Sequence, residues 1–247
     1  MIIDGHFHLH YTIPTKNESI IKAMKKRVKK IKENHSLERI LGVIPTENSK
    51  IVDIIRKEHS YISPGIYILV ENYNSNLLEK IKKFDFIKIN NWLGSPFLLP
   101  EKLEELFLDS ISNKIKKFQI HTSKLDEERL GLIKKYIQEY DAFFYLTHGV
   151  YASYHYSSKT NLNELKRLEG NLLLGTSPFW GTIAEIPNES LIKAIKDGLE
   201  NLIVFESDFV LNYNEEFYRY TIESVRESVK NDKTLEKILY ENIKIFL

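Results

Sequence analysis

The chain has 247 residues, of which 43% are hydrophobic and 28% charged, with a formal net charge of +1. That length fits one large α/β domain or two small ones and can bury a sizeable core, while the balanced charge excludes an acidic tail or a strongly basic nucleic-acid domain. The absence of cysteine excludes disulfides, thiolate zinc sites and cysteine nucleophiles, so a metal here must use histidine, carboxylate, backbone oxygen or water.

Met1 leads directly into Ile2, Ile3 and Asp4, with no basic region and apolar stretch of the secretory type. No apolar run approaches the ~18–20 residues needed to span a bilayer. The expectation is a cytoplasmic globular protein acting on a small molecule, without a membrane or nucleic-acid partner. Oligomeric state is left open, a homo-oligomer included.

Short apolar runs of β character alternate along the chain with longer charged runs of helical period. Strands are predicted at Met1–Phe7, Arg39–Ile44, Ile62–Val70, Phe86–Asn90, Phe118–His121, Ala142–Thr147, Asn171–Gly175 and Leu202–Glu206. Helices are predicted at Glu18–Asn34, Asn48–His59, Asn76–Lys83, Pro100–Asn113, Asp126–Glu139, Leu162–Leu168 and Glu189–Gly198, then Glu215–Lys230 and Thr234–Leu247 after the last strand. Ser123 to Asp126 offer caps before one helix, Asn188 stands where an N-cap is wanted, and Gly198 reads as a C-terminal stop. The basic run Lys22–Lys32 carries Ile21, Met24, Val28 and Ile31 at helical spacing, which reads as a solvated outer helix face rather than a polyanion site.

Parallel strands need crossover helices, and eight strand–helix alternations over this length predict a (β/α)8 TIM barrel, read as one domain over residues 1–247. An open doubly wound sheet is the alternative. It would want a Gly-rich phosphate loop after the first strand, where Gly5 stands alone.

The candidate chemistry sits at the C-terminal ends of the strands, where TIM barrels carry their active sites. In Asp4-Gly5-His6-Phe7-His8, alternation along a strand puts His6 and His8 on one face, able to share an ion. His121 ends strand five, His148 ends strand six, and Asp208 follows strand eight. Each of these taken singly reads as a hydrogen-bonded structural residue or a cap. Together they are far more specific: closure brings strand eight beside strand one, with strands five and six across the mouth. Imidazoles and a carboxylate converging there suit a divalent ion, with zinc favoured and manganese compatible. Lys88 lies inside the apolar strand Phe86–Asn90, an unusual place for lysine. It reads as a lysine at the mouth paired with a carboxylate or substrate. Asn90, Trp92, Trp180 and His155 are candidate pocket residues. Phe179, Tyr151, Tyr154 and Tyr156 join them as aromatics near the catalytic end, and the segment Gly149–Lys159 reads as a loop over the site.

In this order, Asp-Gly-His-Phe-His (4–8), Ile-His-Thr (120–122), Thr-His-Gly (147–149) and Glu-Ser-Asp (206–208) resemble the amidohydrolase superfamily. The likeness is strongest to its amidohydrolase-related branch, which includes the aminocarboxymuconate-semialdehyde decarboxylase type. Glu241-Asn242-Ile243 is similar to the segment that opens the family's final turn. The resemblance implies metal ligands at His6, His8, His121 and Asp208, with Asp208 also accepting a proton from the attacking water. It implies that His148 sits beside the metal, to polarise the substrate or to ligate a second ion, and it offers for Lys88 the alternative of a carboxylated lysine bridging two metals, with the mouth lysine still favoured. Many relatives carry Gly where this chain has Glu206, and many carry a histidine two residues after the strand-four lysine, where this chain has Asn90.

The reaction so implied is hydrolysis of an amide, ester or lactone bond of a small molecule. A nonoxidative decarboxylase on the same site is the second reading, and a catalytically silent binding barrel the third.

Overall fold

A computed structural model describes residues 1–9, 17–69, 73–90, 100–122, 127–155, 162–177, 186–211 and 214–247. The strands are β1 (Ile2–His8), β2 (Leu37–Pro45), β3 (Ile62–Leu69), β4 (Phe86–Asn90), β5 (Lys117–His121), β6 (Phe143–Thr147), β7 (Leu172–Gly175), β8 (Ile203–Val204) and β9 (Phe209–Val210). All pair in parallel in the order β8-β7-β6-β5-β4-β3-β2-β1-β9.

The two short strands β8 and β9 are halves of one eighth strand, and their place at opposite ends of that order closes the sheet. Between them Gly5 N–H donates to Phe205 O at 2.9 Å and Asp208 N–H to His6 O at 3.0 Å, lacing the eighth strand to the first. The result is a (β/α)8 barrel. The eighth strand departs from the predicted Leu202–Glu206: its ladder breaks after Val204 and resumes at Phe209. Ser207 turns its backbone N–H and hydroxyl onto Asp4, and Asp208 adopts φ 51°.

The helices are α1 (Asn17–Ala23), α2 (Lys29–His35), α3 (Val52–Glu58), α4 (Leu78–Ile81), α5 (Pro100–Ser112), α6 (Glu127–Tyr140), α7 (Gly149–His155), α8 (Leu162–Lys166), α9 (Glu189–Lys196), α10 (Glu215–Ser228) and α11 (Asp232–Glu236). The π-helical turn Met24–Val28 joins α1 to α2, so the first helical run is continuous. Its apolar stripe is buried through Met24, Val28 and Ile31, while Lys25 and Lys30 reach out to Glu58 and Glu215. That is the solvated outer face expected of this run. No described helix is long and apolar enough to cross a membrane.

Alternation along each strand sends one set of side chains out under the helices and one set into the barrel. Phe118, Phe144, Leu172, Leu174, Ile203 and Phe205 belong to the outer core. Ile3, Phe86, Tyr145, Leu173 and Val204 fill the barrel floor, closed below by Ile243 and Phe246. Asn242 ties this closing segment to the eighth strand by donating to Glu200 O and Ile203 O, both at 2.7 Å.

In β1 the phase changes. Ile3 faces the inner core, yet Phe7 and Leu9 face the outer one, and the register against β2 shifts between Asp4 and Phe7. A local irregularity of this kind re-aims the side chains beyond it. It puts His6 and His8 where the alternation set by Ile3 would have put Phe7.

At α9 the cap chemistry expected at Asn188 is present: its side chain accepts from Leu191 N at 3.0 Å. Gly198 stops the helix in the left-handed region at φ 75°, which costs a glycine little. Asn188→Ala should lower stability by about 1 kcal/mol with the site unchanged, measurable as a shift in the urea midpoint without a change in slope.

The segment after β6 differs from expectation. Gly149–His155 is helix α7, not loop. Tyr154, proposed for the pocket, instead packs on α9: its hydroxyl donates to Asp197 Oδ2 at 2.9 Å and Lys193 Nζ lies 4.7 Å from its ring. The residues from 149 onward keep helical spacing toward α9, and that partner is invisible in the local sequence. Tyr156, Phe179, Trp92, Trp180 and the Ser123–Asp126 cap lie outside the described residues.

Candidate metal centre

The barrel mouth collects His6 and His8 from β1, His121 from β5, His148 after β6 and Asp208 before β9. All five are buried or nearly so. Asp208 Oδ1 lies 3.1 Å from His6 Nε2 and 3.1 Å from His8 Nε2, and its Oδ2 lies 3.9 Å from His148 Nε2. The ring centroids of His6 and His8 are 4.5 Å apart, and those of His121 and His148 4.7 Å apart. Among the described residues, His6, His8 and Asp208 form the group whose ligand atoms all lie within 4.8 Å of one another. His121 stands on the His148 side of the mouth, outside that group.

The hydrogen bonds beneath the rings decide what the rings present. Gln119, buried on β5, donates Nε2–H to Gly5 O at 2.7 Å, so its Oε1 is the atom left 2.9 Å from His6 Nδ1. His6 Nδ1 therefore carries the proton, and Nε2 presents a lone pair. That lone pair faces a carboxylate oxygen at 3.1 Å without hydrogen-bond geometry. Two acceptors set against each other in a buried place are repulsive unless a cation sits between them. Ligands about 2.0–2.2 Å from a tetrahedral ion are about 3.3 Å from one another, close to the spacing seen. The donor set and its second layer thus fit a divalent ion.

Asp4 holds this arrangement from behind. Its Oδ1 accepts from His6 N and Ser207 N, both at 3.1 Å, and its Oδ2 accepts from Ser207 Oγ at 2.6 Å. Burial raises its carboxyl to about 7 in spite of these donors. Asp4 thereby couples the backbone of β1 to the turn that aims Asp208. Neither Asp4 nor Gln119 is singled out by the sequence; a polar side chain inside an otherwise apolar strand is the signal that could have found them.

Lys88 is fully buried on β4 and donates to Thr147 Oγ1 at 2.7 Å. Burial lowers its ammonium to about 7, against the pull of Glu206 and Asp208. Glu206 is fully buried too. Its Oε2 accepts from Tyr145 Oη at 2.6 Å, and its Oε1 from His148 N at 2.6 Å, Ser177 Oγ at 2.7 Å and Ser177 N at 3.3 Å. Gly175 makes room for it, since a Cβ there would come within 2.1 Å of the carboxyl.

Asn90 ends β4 and His155 ends α7. The other two proposed pocket residues, Trp92 and Trp180, are not among the described residues.

Burial holds the site imidazoles neutral: His8 is lowered from 6.5 to about 3, His148 to about 4, and His6 and His121 well below the usual range. Between pH 6.5 and these values the unfolded chain binds more protons than the folded one, so their stability contribution is whole above 6.5 and is lost on acidification. Asp4 and Glu206, both raised to about 7, act in the opposite sense as pH rises through 4 to 7. Four imidazoles outweigh two carboxyls. The metal-free chain should therefore lose stability from pH 7 to pH 4, as read by urea unfolding in chelator; a flat or rising profile would contradict the neutral cluster.

No family model matches this sequence, and no curated protein matches it. Solved structures do match in fold. The 4-oxalomesaconate hydratase LigJ from Rhodopseudomonas palustris superposes with a TM-score of 0.63 at 12% identity, covering 100% of this chain and 95% of that one. N-isopropylammelide isopropylaminohydrolase from Burkholderia multivorans gives 0.63 at 12%, covering 99% and 74%. Amidohydrolase 2 from Bifidobacterium longum subsp. infantis gives 0.55 at 11%, covering 99% and 98%. Over essentially its whole length, this chain shares its barrel fold with these structures.

Proposed function

We propose that this chain is a metal-dependent hydrolase of the amidohydrolase superfamily, cleaving an amide, ester or lactone bond of a small molecule. The observation that carries the reading is the convergence of His6 Nε2, set as a lone pair by Gln119, with His8 Nε2 on one oxygen of Asp208. His6, His8 and Asp208 would hold the ion, with His121 completing the set from β5. Zinc is the first choice, and manganese suits the same ligands.

A divalent ion bound there supplies Lewis acidity and lowers the pKa of water toward ~7. Asp208, with Oδ1 toward His6 and His8 and Oδ2 toward His148, is the group placed to take the proton released as water attacks. His6, His121, His148 and Asp208 are buried, which strengthens each electrostatic contact among them. Lys88, held by Thr147 beneath the mouth, is read as a counter-charge to Glu206 and Asp208 rather than as a bridge between two metals. Asn90, Trp92, His155 and Trp180 are the proposed substrate contacts.

The test is a panel of small amides, esters, lactones and conjugated acids offered to the zinc-loaded chain. Products of water addition are expected, with turnover abolished by chelator and by His8→Ala. Turnover indifferent to chelator would sink the reading, and carbon dioxide as the product would replace it with a decarboxylase.

A further inference from the structure

We infer that Glu206, acting through Ser177, locks the His148 imidazole in its Nδ1–H tautomer, so that Nε2 meets the centre as a lone pair and not as a donor. The lock follows from protons counted atom by atom. Glu206 Oε1 faces three donors: His148 N–H at 2.6 Å, Ser177 Oγ at 2.7 Å and Ser177 N–H at 3.3 Å; Oε2 faces the Tyr145 hydroxyl at 2.6 Å. An oxygen already accepting two backbone N–H groups cannot itself carry a proton toward Ser177. The serine must give its one proton to Glu206. What Ser177 Oγ then offers His148 Nδ1, 2.9 Å away, is a lone pair. Ser177 O, 3.3 Å from the same nitrogen, is an acceptor by nature. Both atoms facing Nδ1 accept, so Nδ1 carries the hydrogen.

The carboxylate thus holds one residue at two points. It fixes the backbone of His148 at φ 60°, in the left-handed region, and it sets the ring through Ser177. It can do so because β7 has Gly175 where a side chain would collide with it. Glu206 and Ser177 are positioning residues in this account. The consequence for chemistry rests on the reading of the centre as a metal site. A neutral ring with Nε2 unprotonated repels a developing oxyanion, but it binds an ion or receives a proton. His148 accordingly serves as ligand or proton acceptor, in place of the carbonyl-polarising donor that its position alone suggests.

The test uses the full chain labelled with 15N-histidine, stripped of metal, with His148→Gln to assign the resonances. The wild-type His148 ring should show the Nδ1–H pattern. Ser177→Ala and Glu206→Gln should shift the tautomer balance ~10-fold or more toward Nε2–H, the worth of about one hydrogen bond. Zinc titrated into each variant should bind ~10–100-fold more weakly than to wild type. Should Glu206→Gln not fold, Ser177→Ala carries the test, because it leaves the carboxylate and its other donors in place. An Nε2–H pattern in the wild type, or a pattern unmoved by Ser177→Ala, overturns the inference. A chain that binds no zinc yet shows the Nδ1–H pattern, shifted by Ser177→Ala, supports the inference while contradicting the metal reading.

Discussion

Asp208→Asn should leave the barrel folded and strip the centre of its affinity for zinc by ~10²–10³-fold. The magnitude follows from dividing the ~10–16 kcal/mol of a four-ligand zinc site among its ligands, about 2.5–4 kcal/mol each. Asp208 is the one carboxylate in the group with His6 and His8, and both rings approach the same oxygen at 3.1 Å. Asparagine is the informative replacement. The residue sits at φ 51°, a conformation that asparagine tolerates and alanine resists, so Asp208→Ala would mix backbone strain with ligand loss. Asparagine also keeps an oxygen in place but gives up the charge and the proton-accepting role. Turnover in the proposed reaction should fall by ~10²–10⁴-fold. Zinc binding by competition with a chromophoric chelator, alongside a thermal melt, separates the two effects. An Asp208→Asn chain with wild-type affinity would remove the carboxylate from the centre.

Gly175→Ala should be strongly destabilising. The added Cβ would lie 2.1 Å from Glu206 Cδ and from its Oε2, so the carboxyl must leave its place. Tyr145 Oη, His148 N, Ser177 N and Ser177 Oγ then lose their common acceptor in the dry interior. Stranded buried donors cost about 1–3 kcal/mol each, and partial recovery still leaves a loss of about 3 kcal/mol or more. For a chain of this size that is a fall in Tm of roughly 6–12 °C. Gly131→Ala is the matched contrast. It lies exposed within α6 with nothing within 4 Å of the new Cβ, and there alanine should stabilise by about 0.5–1 kcal/mol through helix propensity. Equal effects at the two glycines would mean that Glu206 does not sit against Gly175.

The strand order was readable because each strand is a short apolar run with a helical run behind it. Most predicted boundaries fall within a few residues of those observed. What could not be read depends on contacts far apart in sequence. His6 and His8 do share a face, as a period of two requires, but the register shift between Asp4 and Phe7 that turns this face inward depends on β2. The eighth strand is broken because Ser207 finds Asp4, 203 residues away. Glu206 stood out only as a departure from a pattern. Its role needs Tyr145, Ser177 and the missing side chain at Gly175, brought together from two other segments. The segment after His148 showed aromatic and serine content typical of a loop, yet it forms α7, because Tyr154 has Asp197 to meet.

The most direct test of the central claim is the metal content of the chain, measured by elemental analysis on protein purified without chelator or a histidine tag. The account predicts about one equivalent of zinc or manganese per chain, lost from Asp208→Asn. No bound metal, even after reconstitution with both ions, would contradict it: the lone pairs of His6 Nε2 and Asp208 Oδ1, 3.1 Å apart, would then have no cation to reconcile them.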